Sequence, residues 1–293
     1  MKVLITGGSG MVGKHLQEIL PNAYYIGSKD CDLTSWKEVE YMMFLQKPDH
    51  IIHLAAKVGG IQDNIAKPAE YFDDNILMNT HILKASLKYN VKRFTGILST
   101  CIYPDTVENY PMKEEDMFLG PPAISNFSYG YAKRCMAVQI DAYNKQYGTK
   151  YNYLIPCNLY SEHDNFGNES KMHFMTALLK KIKTSRKTLN LLGTGKPLRQ
   201  FMYAGDLARV IKEVIDNDIT NSFNVATSEN LSIDKIANIS LNVLNKNLKI
   251  NYSKPELDGQ YRKDVSNNKM LTHLPNFKFT SFEEGIKKVY NKI

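Results

Sequence analysis

A chain of 293 residues, 43% hydrophobic and 23% charged, has the balance of a soluble globular protein with room for a large core. Its formal charge of +7 is scattered and no groove-reading or base-stacking motif accompanies it, so a phosphate-bearing small molecule is expected and nucleic acid is not. No apolar run nears the ~18 residues that cross a bilayer, and Cys31, Cys101, Cys135 and Cys157 lie far apart without CxxC pairs or histidines at metal-ligand spacing.

Free thiols, no metal centre, no membrane contact and a cytoplasmic setting are therefore expected. Val3–Ile5 runs straight into Thr-Gly-Gly, the pattern of neither a leader nor an anchor. The opening run, Lys2–Thr6, leads into Gly7-Gly8-Ser9-Gly10-Met11-Val12-Gly13 and a helical pattern over His15–Leu20 that Pro21 stops. Buried strand, glycine turn and helix N-terminus in that order form the phosphate-binding start of a doubly wound α/β fold. The glycines let the backbone approach a pyrophosphate, and the first N–H groups of the helix face it. The spacing is GxxGxxG rather than GxGxxG.

Ala23–Gly27 reads as the second strand. Where NAD-binding versions place an acid for the ribose hydroxyls, this chain has Ser28-Lys29. A hydroxyl and a cation suit the 2′-phosphate of NADP better than a bare ribose; the alternative is a solvated loop lysine. Asp32-Leu33 follows at a position suited to the adenine. A third β-α unit has its helix at Trp36–Leu45, and a fourth strand, Ile51–Ala55, is apolar on both faces like a buried parallel strand. It leads into Ala55-Ala56-Lys57-Val58-Gly59-Gly60-Ile61, whose small residues let a cofactor lie across the carboxyl edge of the sheet. A long helix over Ala69–Tyr89 and a fifth strand, Phe94–Leu98, continue the alternation expected of a parallel sheet with crossover helices.

The next predicted helix, 127–147, carries Tyr129 and Lys133 four residues apart, one above the other on one face; Tyr131, at i,i+2, points elsewhere. A phenol titrates near 10, and a neighbouring ammonium lowers that value, so the pair has the make-up of a proton donor and its tuner for reducing a carbonyl. An ordinary solvated pair on a helix is the alternative. A strand at Tyr151–Pro156 follows, and beyond Asn158 the regular alternation stops. A helix at His173–Lys183, a turn at Gly193–Pro197, a short segment at Arg199–Tyr203 and a strand at Ser222–Ala226 come next. A helix from Ser232, a strand at Leu248–Tyr252 and a helix at Phe282–Tyr290 complete the chain. The expected organisation is a Rossmann-type dinucleotide-binding domain over 1–160, with returning segments near 198–226. A smaller α/β substrate lobe takes 161–197 and 227–293.

Together these motifs resemble the extended short-chain dehydrogenase/reductase family: Thr6-Gly7-x-x-Gly10-x-x-Gly13, Ser99-Thr100 after a strand, and Tyr129-x-x-x-Lys133. Longer stretches are similar to its GDP-L-fucose synthase branch. They are Ala55–Ile61, Ser99-Thr100-Cys101-Ile102-Tyr103-Pro104, Asn158-Leu159-Tyr160, Asp164-Asn165-Phe166, His173, Pro197-Leu198-Arg199-Gln200-Phe201, Ser253-Lys254-Pro255, Asp258-Gly259 and Arg262-Lys263. The resemblance implies NADPH-dependent reduction of the C4 ketone of a GDP-linked 4-keto-6-deoxy sugar, hexose or heptose. It implies Tyr129 as general acid, Lys133 as its tuner and ribose ligand, and Ser99 or Thr100 on the carbonyl oxygen. It further implies Cys101 and His173 as a base and an acid for C3/C5 epimerisation, with C4 reduction without epimerisation as the alternative. The dinucleotide is expected against Gly7, Gly10, Met11, Val12, Gly13, Ser28, Lys29, Asp32, Leu33, Ala55, Ala56, Lys57, Leu98, Lys133, Pro156, Asn158 and Leu159. The GDP-sugar is expected against Val58, Gly59, Asn158, Lys181, Arg199, Asp258 and Arg262.

Three departures from the branch are expected to border the sugar pocket: Leu192 in place of a tryptophan, Ser161-Glu162-His163 in place of Gly-Pro, and the segment Gly167–Met172. The resemblance also implies that helices 69–89 and 127–147 pair with a second copy as a homodimer. The competing readings are a nucleotide-sugar 4-epimerase or dehydratase that retains NAD, and a non-catalytic dinucleotide-binding scaffold.

Overall fold

The opening apolar run forms a fully buried strand, β1 (Val3–Thr6), and the glycine turn hands it to helix α1 (Met11–Ile19). The computed structural model describes residues 1–164, 166–167 and 172–293. Next in order are β2 (Tyr24–Ile26), α2 (Trp36–Gln46), β3 (His50–His53), α3 (Ile61–Ala66), α4 (Pro68–Lys88), β4 (Arg93–Ile97), α5 (Phe127–Tyr147) and β5 (Tyr151–Pro156). The second half holds β6 (Asn158–Tyr160), α6 (Phe174–Thr184), β7 (Thr188–Leu192), β8 (Leu198–Arg199), β9 (Phe201–Tyr203), α7 (Ala204–Asp216) and β10 (Phe223–Val225). It ends with β11 (Leu231–Ser232), α8 (Ile233–Val243), β12 (Lys249–Ser253), α9 (Asn268–His273) and α10 (Phe282–Lys292).

Six strands make one parallel sheet in the order β10-β5-β4-β3-β1-β2, the expected Rossmann-type architecture. The connection from β2 passes over β1 and lays β3 on its other side. The carboxyl ends of β1 and β3 therefore flank a crevice, the place where such sheets take their ligands. One expectation is corrected here. No strand lies between β2 and β3, so Arg93–Ile97 is the fourth strand rather than the fifth. Residues 28–35 carry polar side chains that bond their own backbone: Asp32 Oδ1 accepts from Thr34 N at 2.9 Å, and Ser35 caps α2 by accepting from Glu38 N at 3.4 Å. Such local bonds compete with a ladder.

Helix α7 is a further element beyond those predicted. Leu207, Ala208, Val210, Ile211, Val214 and Ile215 form its buried stripe, and it packs against α1.

The buried side chains fall into two clusters. The first joins the sheet to α1, α2, α4, α5 and α7; the second gathers Tyr160, Met175, Leu179, Leu189, Ile236 and Ile286 from α6, β7, α8, α10 and their surroundings. Val265, Met270 and Leu274, expected with the second half's lobe, belong to the first cluster instead. Two clamps hold that segment there. Met112 N donates to Asp264 O at 2.9 Å and Met112 O accepts from Ser266 N at 2.7 Å. The buried Gln200 side chain donates to Val265 O at 3.1 Å and accepts from Val265 N at 2.9 Å. A buried amide must find such partners, and in finding them it brings residues 262–266 to the carboxyl edge of the sheet.

Candidate active site

The end of β4 runs through Leu98 and Ser99 into a tight turn, Thr100–Ile102, which Ser99 caps by accepting at its Oγ from Cys101 N at 3.2 Å. Helix α5 passes beneath it. Arg134, 6% exposed, reaches from α5 to donate to Ile102 O through Nε at 2.9 Å and to Gly120 O through Nη1 at 3.0 Å. It thereby fixes the height of the turn over the helix. Lys133, one residue earlier and 1% exposed, donates from Nζ to Ile97 O at 2.8 Å. The Tyr129 hydroxyl lies near Ser99, close enough to weigh on its titration.

A polar chain through the core aligns the helix and the sheet. Ala55 N donates to Thr6 Oγ1 at 3.3 Å, Thr6 Oγ1 pairs with His53 Nδ1 at 2.8 Å, and His53 Nε2 pairs with Asn79 Oδ1 at 3.0 Å. Asn79 then donates to Ala132 O at 3.4 Å. Burial, reinforced by the Lys133 charge, pushes His53 down to about 3, so the chain is neutral. Burial also pushes Lys133 down to about 7. For Tyr129 burial acts the other way and raises the phenol; Cys101 adds to the rise and Ser99 opposes it. The lysine that was expected to lower the phenol instead faces the Ile97 carbonyl.

Cys101 accepts a hydrogen bond from Lys263 Nζ at 2.9 Å. Burial opposes its ionisation, but Lys263, Ser99 and Arg199 outweigh burial and hold the thiol below its ordinary range. His173 is the N-cap of α6, with a half-exposed side chain whose Nδ1 lies 2.9 Å from Asp164 Oδ1. That bond raises the imidazole, against the lowering effect of burial. Asp164 also accepts from Thr176 Oγ1 at 2.5 Å. Ser99, Cys101 and Lys263 are thus joined by hydrogen bonds, Tyr129 and Arg199 lie close enough to act on Cys101, and Lys133 holds the Ile97 carbonyl two residues before Ser99, whereas His173, among the described residues, shares no hydrogen bond with them. Lys263 and Asp164 were not among the predicted site residues. Their signals in the sequence are faint, one lying beside Arg262 and the other beside Asn165, which falls outside the described residues.

The glycine turn fits a dinucleotide. Gly7 has φ +70°, and a Cβ there would lie 2.8 Å from Ala55 N; a Cβ on Gly13 would lie 2.3 Å from Gly8 O. Gly10 caps α1 without any side-chain acceptor, so the first N–H groups of the helix point into the crevice. Other predicted cofactor contacts are divided. Ser28 and Lys29 are exposed beyond β2, and Ala55, Ala56 and Pro156 stand at strand ends. Val12, Leu33 and Leu98 bury their side chains in the first cluster, with Met11 and Leu159 packed against it. Asp32 holds a turn through Thr34, and Lys57 is tied to Glu70 at 2.7 Å and Asp74 at 2.8 Å.

Of the predicted substrate contacts, Arg199 donates, among the described residues, to the carbonyls of Leu198, Tyr261 and Asp258. Both oxygens of Asp258 hold Thr194, at 2.6 Å each. Arg262 is bidentate on Asp264 and lies 4.6 Å above the Tyr110 ring. It lines an open cleft of about 630 Å³ with Val107, Tyr110, Ser125 and Gly259. Val58 and Gly59 stand ahead of α3, with Val58 exposed. Asn158 donates to Gln200 O at 2.8 Å, and Lys181 stands apart on α6, donating to Asn190 O at 3.3 Å.

The Ser161-Glu162-His163 departure makes its contacts with His15 and Tyr203. Ser161 Oγ lies 2.7 Å from His15 Nε2, the His163 ring packs at 4.7 Å from that of His15, and Tyr203 donates to Glu162 at 2.5 Å. The triplet packs under α1. His15, Glu162 and His163 place ligand atoms within 4.8 Å of one another, a grouping that chain spacing concealed; Ser161 and Tyr203 already occupy two of the three. Leu192 is exposed at the end of β7, and of the third departure residues 168–171 lie outside the described residues.

A model of the NAD dependent epimerase/dehydratase family matches residues 3–226. A GDP-L-fucose synthase of Dictyostelium discoideum is 36% identical, over 98% of this chain and 93% of that protein. The crystal structure of a GDP-L-fucose synthetase from Naegleria fowleri bound to NADP superposes with TM-score 0.89 at 33% identity, covering 99% of this chain and 91% of that one. A GDP-mannoheptose C4 reductase from Campylobacter jejuni with NADP bound gives TM-score 0.87 at 26% identity, covering 99% and 97%.

The burial of Lys133 carries a pH signature. The unfolded lysine holds its proton to above pH 10, and the folded one releases it near 7. Between those values the unfolded state binds more protons, so stability rises with pH. Denaturant unfolding at pH 6 to 9 should show the parent chain gaining about 2 kcal/mol on Lys133→Met between pH 7 and 9, with no relative change below the folded value. Parallel profiles for the two proteins would contradict this assignment.

Proposed function

The chain belongs to the NAD dependent epimerase/dehydratase family, and on that footing we propose that it reduces the C4 ketone of a GDP-linked 4-keto-6-deoxy sugar with NADPH, in nucleotide-sugar biosynthesis. The observation that carries this reading is the buried group at the end of β4, a phenol, an ammonium, a hydroxyl and a thiol beside a glycine-lined crevice. The names of similar proteins join GDP to fucose and to mannoheptose, and two of the similar structures hold NADP. The reading therefore claims the class, a GDP-linked hexose or heptose.

Gly7, Gly10 and Gly13 with the start of α1 would hold the pyrophosphate of NADPH, Ser28 and Lys29 its 2′-phosphate, and Lys133 its nicotinamide ribose. When bound, NADPH supplies the hydride. Ser99 holds the C4 oxygen, and Tyr129 gives its proton to that oxygen as negative charge develops there. Burial keeps the phenol protonated until then, the state that a general acid requires. The protons at C3 and C5 are acidic because they flank the ketone. Cys101 and His173 are the groups that remove and return them, the thiol biased towards ionisation by Lys263 and the imidazole biased towards protonation by Asp164. The first buried cluster is the dinucleotide-binding domain and the second is the lobe that takes the GDP-sugar, together with Arg199.

Free thiols support a cytoplasmic setting, and no helix among the described residues is long and apolar enough to cross a membrane. The adjacent helices α4 and α5 expose Phe72, Leu77, Val138 and Tyr147, which supports a homodimer with these helices as a four-helix interface. Sedimentation at twice the chain mass is the expected result; a monomer at micromolar concentration would contradict it.

The function is tested with NADPH and GDP-4-keto-6-deoxymannose, or its heptose counterpart, in D2O, followed by NMR. NADPH oxidation with deuterium at C3 and C5 of the product is expected. Tyr129→Phe should lower reduction by roughly 10²–10⁴-fold. Cys101→Ser should lose the deuterium while still reducing an epimerised ketone. Failure of both sugars to oxidise NADPH would overturn the reading.

A further inference from the structure

Lys263 is 7% exposed and directs its ammonium at a sulfur. A buried ammonium needs an anion or several acceptors. The adjacent carboxylate, Asp264, is taken by Arg262 through Nε at 2.6 Å and Nη2 at 3.0 Å. No carboxylate among the described residues forms an ion pair with Lys263; its hydrogen-bond partner is Cys101 Sγ at 2.9 Å. The segment is not free to swing away, because Met112 and Gln200 hold residues 264–266 by backbone bonds. The other groups facing the sulfur are Ser99 from its own turn, Arg199 from β8 and the phenol of Tyr129 from α5. Two of these four neighbours are cations and none is an anion.

We propose that Lys263 holds Cys101 as a thiolate in the resting protein and is the positioning residue that makes this sulfur the base of the epimerisation. The proposal rests on the reading that Cys101 exchanges a proton beside the C4 ketone. In that step the C–H bond breaks, an S–H bond forms, and the electron pair left on carbon moves onto the ketone oxygen as an enolate. The negative charge leaves sulfur and reappears on an oxygen in the same pocket, under the same two cations. Net charge in the pocket is constant through the step, so ionisation of the sulfur and formation of the enolate draw on one fixed field. A neutral hydrogen-bond donor at position 263 would support neither state as strongly.

The remaining thiols provide an internal contrast. Burial pushes Cys31 up to about 11 and Cys157 up to about 12, and raises Cys135 as well. Alkylation near neutrality is therefore expected to select Cys101, which is partly exposed.

The test follows iodoacetamide modification of the Cys101 peptide by mass spectrometry from pH 5 to 10 in the parent chain, Lys263→Met and Lys263→Arg. The parent rate is expected to inflect at least one pH unit below the ~8.5 of a free thiol. Lys263→Met should slow modification at pH 6.5 by about tenfold or more, and Lys263→Arg should restore most of it. A parent inflection at the free-thiol value, or superimposable profiles for the parent and Lys263→Met, would overturn the proposal. Should Lys263→Met fail to fold, the parent inflection and Lys263→Arg still decide. Because the readout needs no substrate, a low inflection without C3/C5 exchange would sink only the epimerisation reading. An ordinary inflection with exchange intact would sink only the role of Lys263.

Discussion

Where α5 passes beneath the end of β4, the Lys133 ammonium sits 2.8 Å from the Ile97 carbonyl with 1% of the residue exposed. Burying an unpaired charge is costly, and the protein meets that cost by lowering the proton affinity of the lysine to about 7. Much of the neighbouring architecture follows from keeping this group in place. His53 and Asn79 relay the sheet's position to the Ala132 carbonyl, one residue before the lysine, and His53 must stay neutral so close to a second potential charge. Arg134, one residue after it, pins the Thr100–Ile102 turn. Tyr129, one turn earlier, then meets Ser99 without any further adjustment of the helix.

Several cations of this chain are matched by carboxylates and, among the described residues, a few near the candidate site are not. Arg93, Lys57, Arg209 and Arg262 are matched by carboxylates. Among the described residues Arg199 and, where protonated, Lys133 bond carbonyls, and Lys263 bonds a sulfur. All three stand at the carboxyl edge of the sheet or on segments clamped to it. Positive charge left unmatched in a cleft raises the local concentration of polyanions and strengthens their binding. NADPH and a GDP-sugar are both polyanions, so the distribution of ion pairs agrees with the chemistry read from the motifs.

The sheet was legible because its signals are local. Four-residue apolar runs, the glycine turn and the Tyr129–Lys133 spacing each declare themselves within a few residues. The strand count failed where polar side chains between Ser28 and Ser35 bond their own backbone instead of a neighbouring strand. Helix α7 has a clear apolar stripe, but it follows a short segment whose pairing with β6 and β11 is set by residues distant in the chain. The site was legible in part for the same reason. Ser99, Cys101, Tyr129 and Lys133 fall within two nearby stretches, whereas Lys263 reaches Cys101 across 162 positions through a clamp that involves Gln200 and Met112. No spacing encodes that. The 161–163 departure was expected at the sugar pocket from its place in the chain, and its contacts with His15 and Tyr203 are ones that chain order does not announce.

The most direct measurement of the central claim follows the hydride itself. NADPH carrying deuterium on the transferred position of nicotinamide C4 is incubated with the GDP-4-keto sugar, and the product is examined at the sugar's C4. The account predicts deuterium bound to that carbon, with one dinucleotide oxidised for each sugar reduced. A dinucleotide that is regenerated during turnover, or a product whose C4 hydrogen comes from elsewhere, would contradict it.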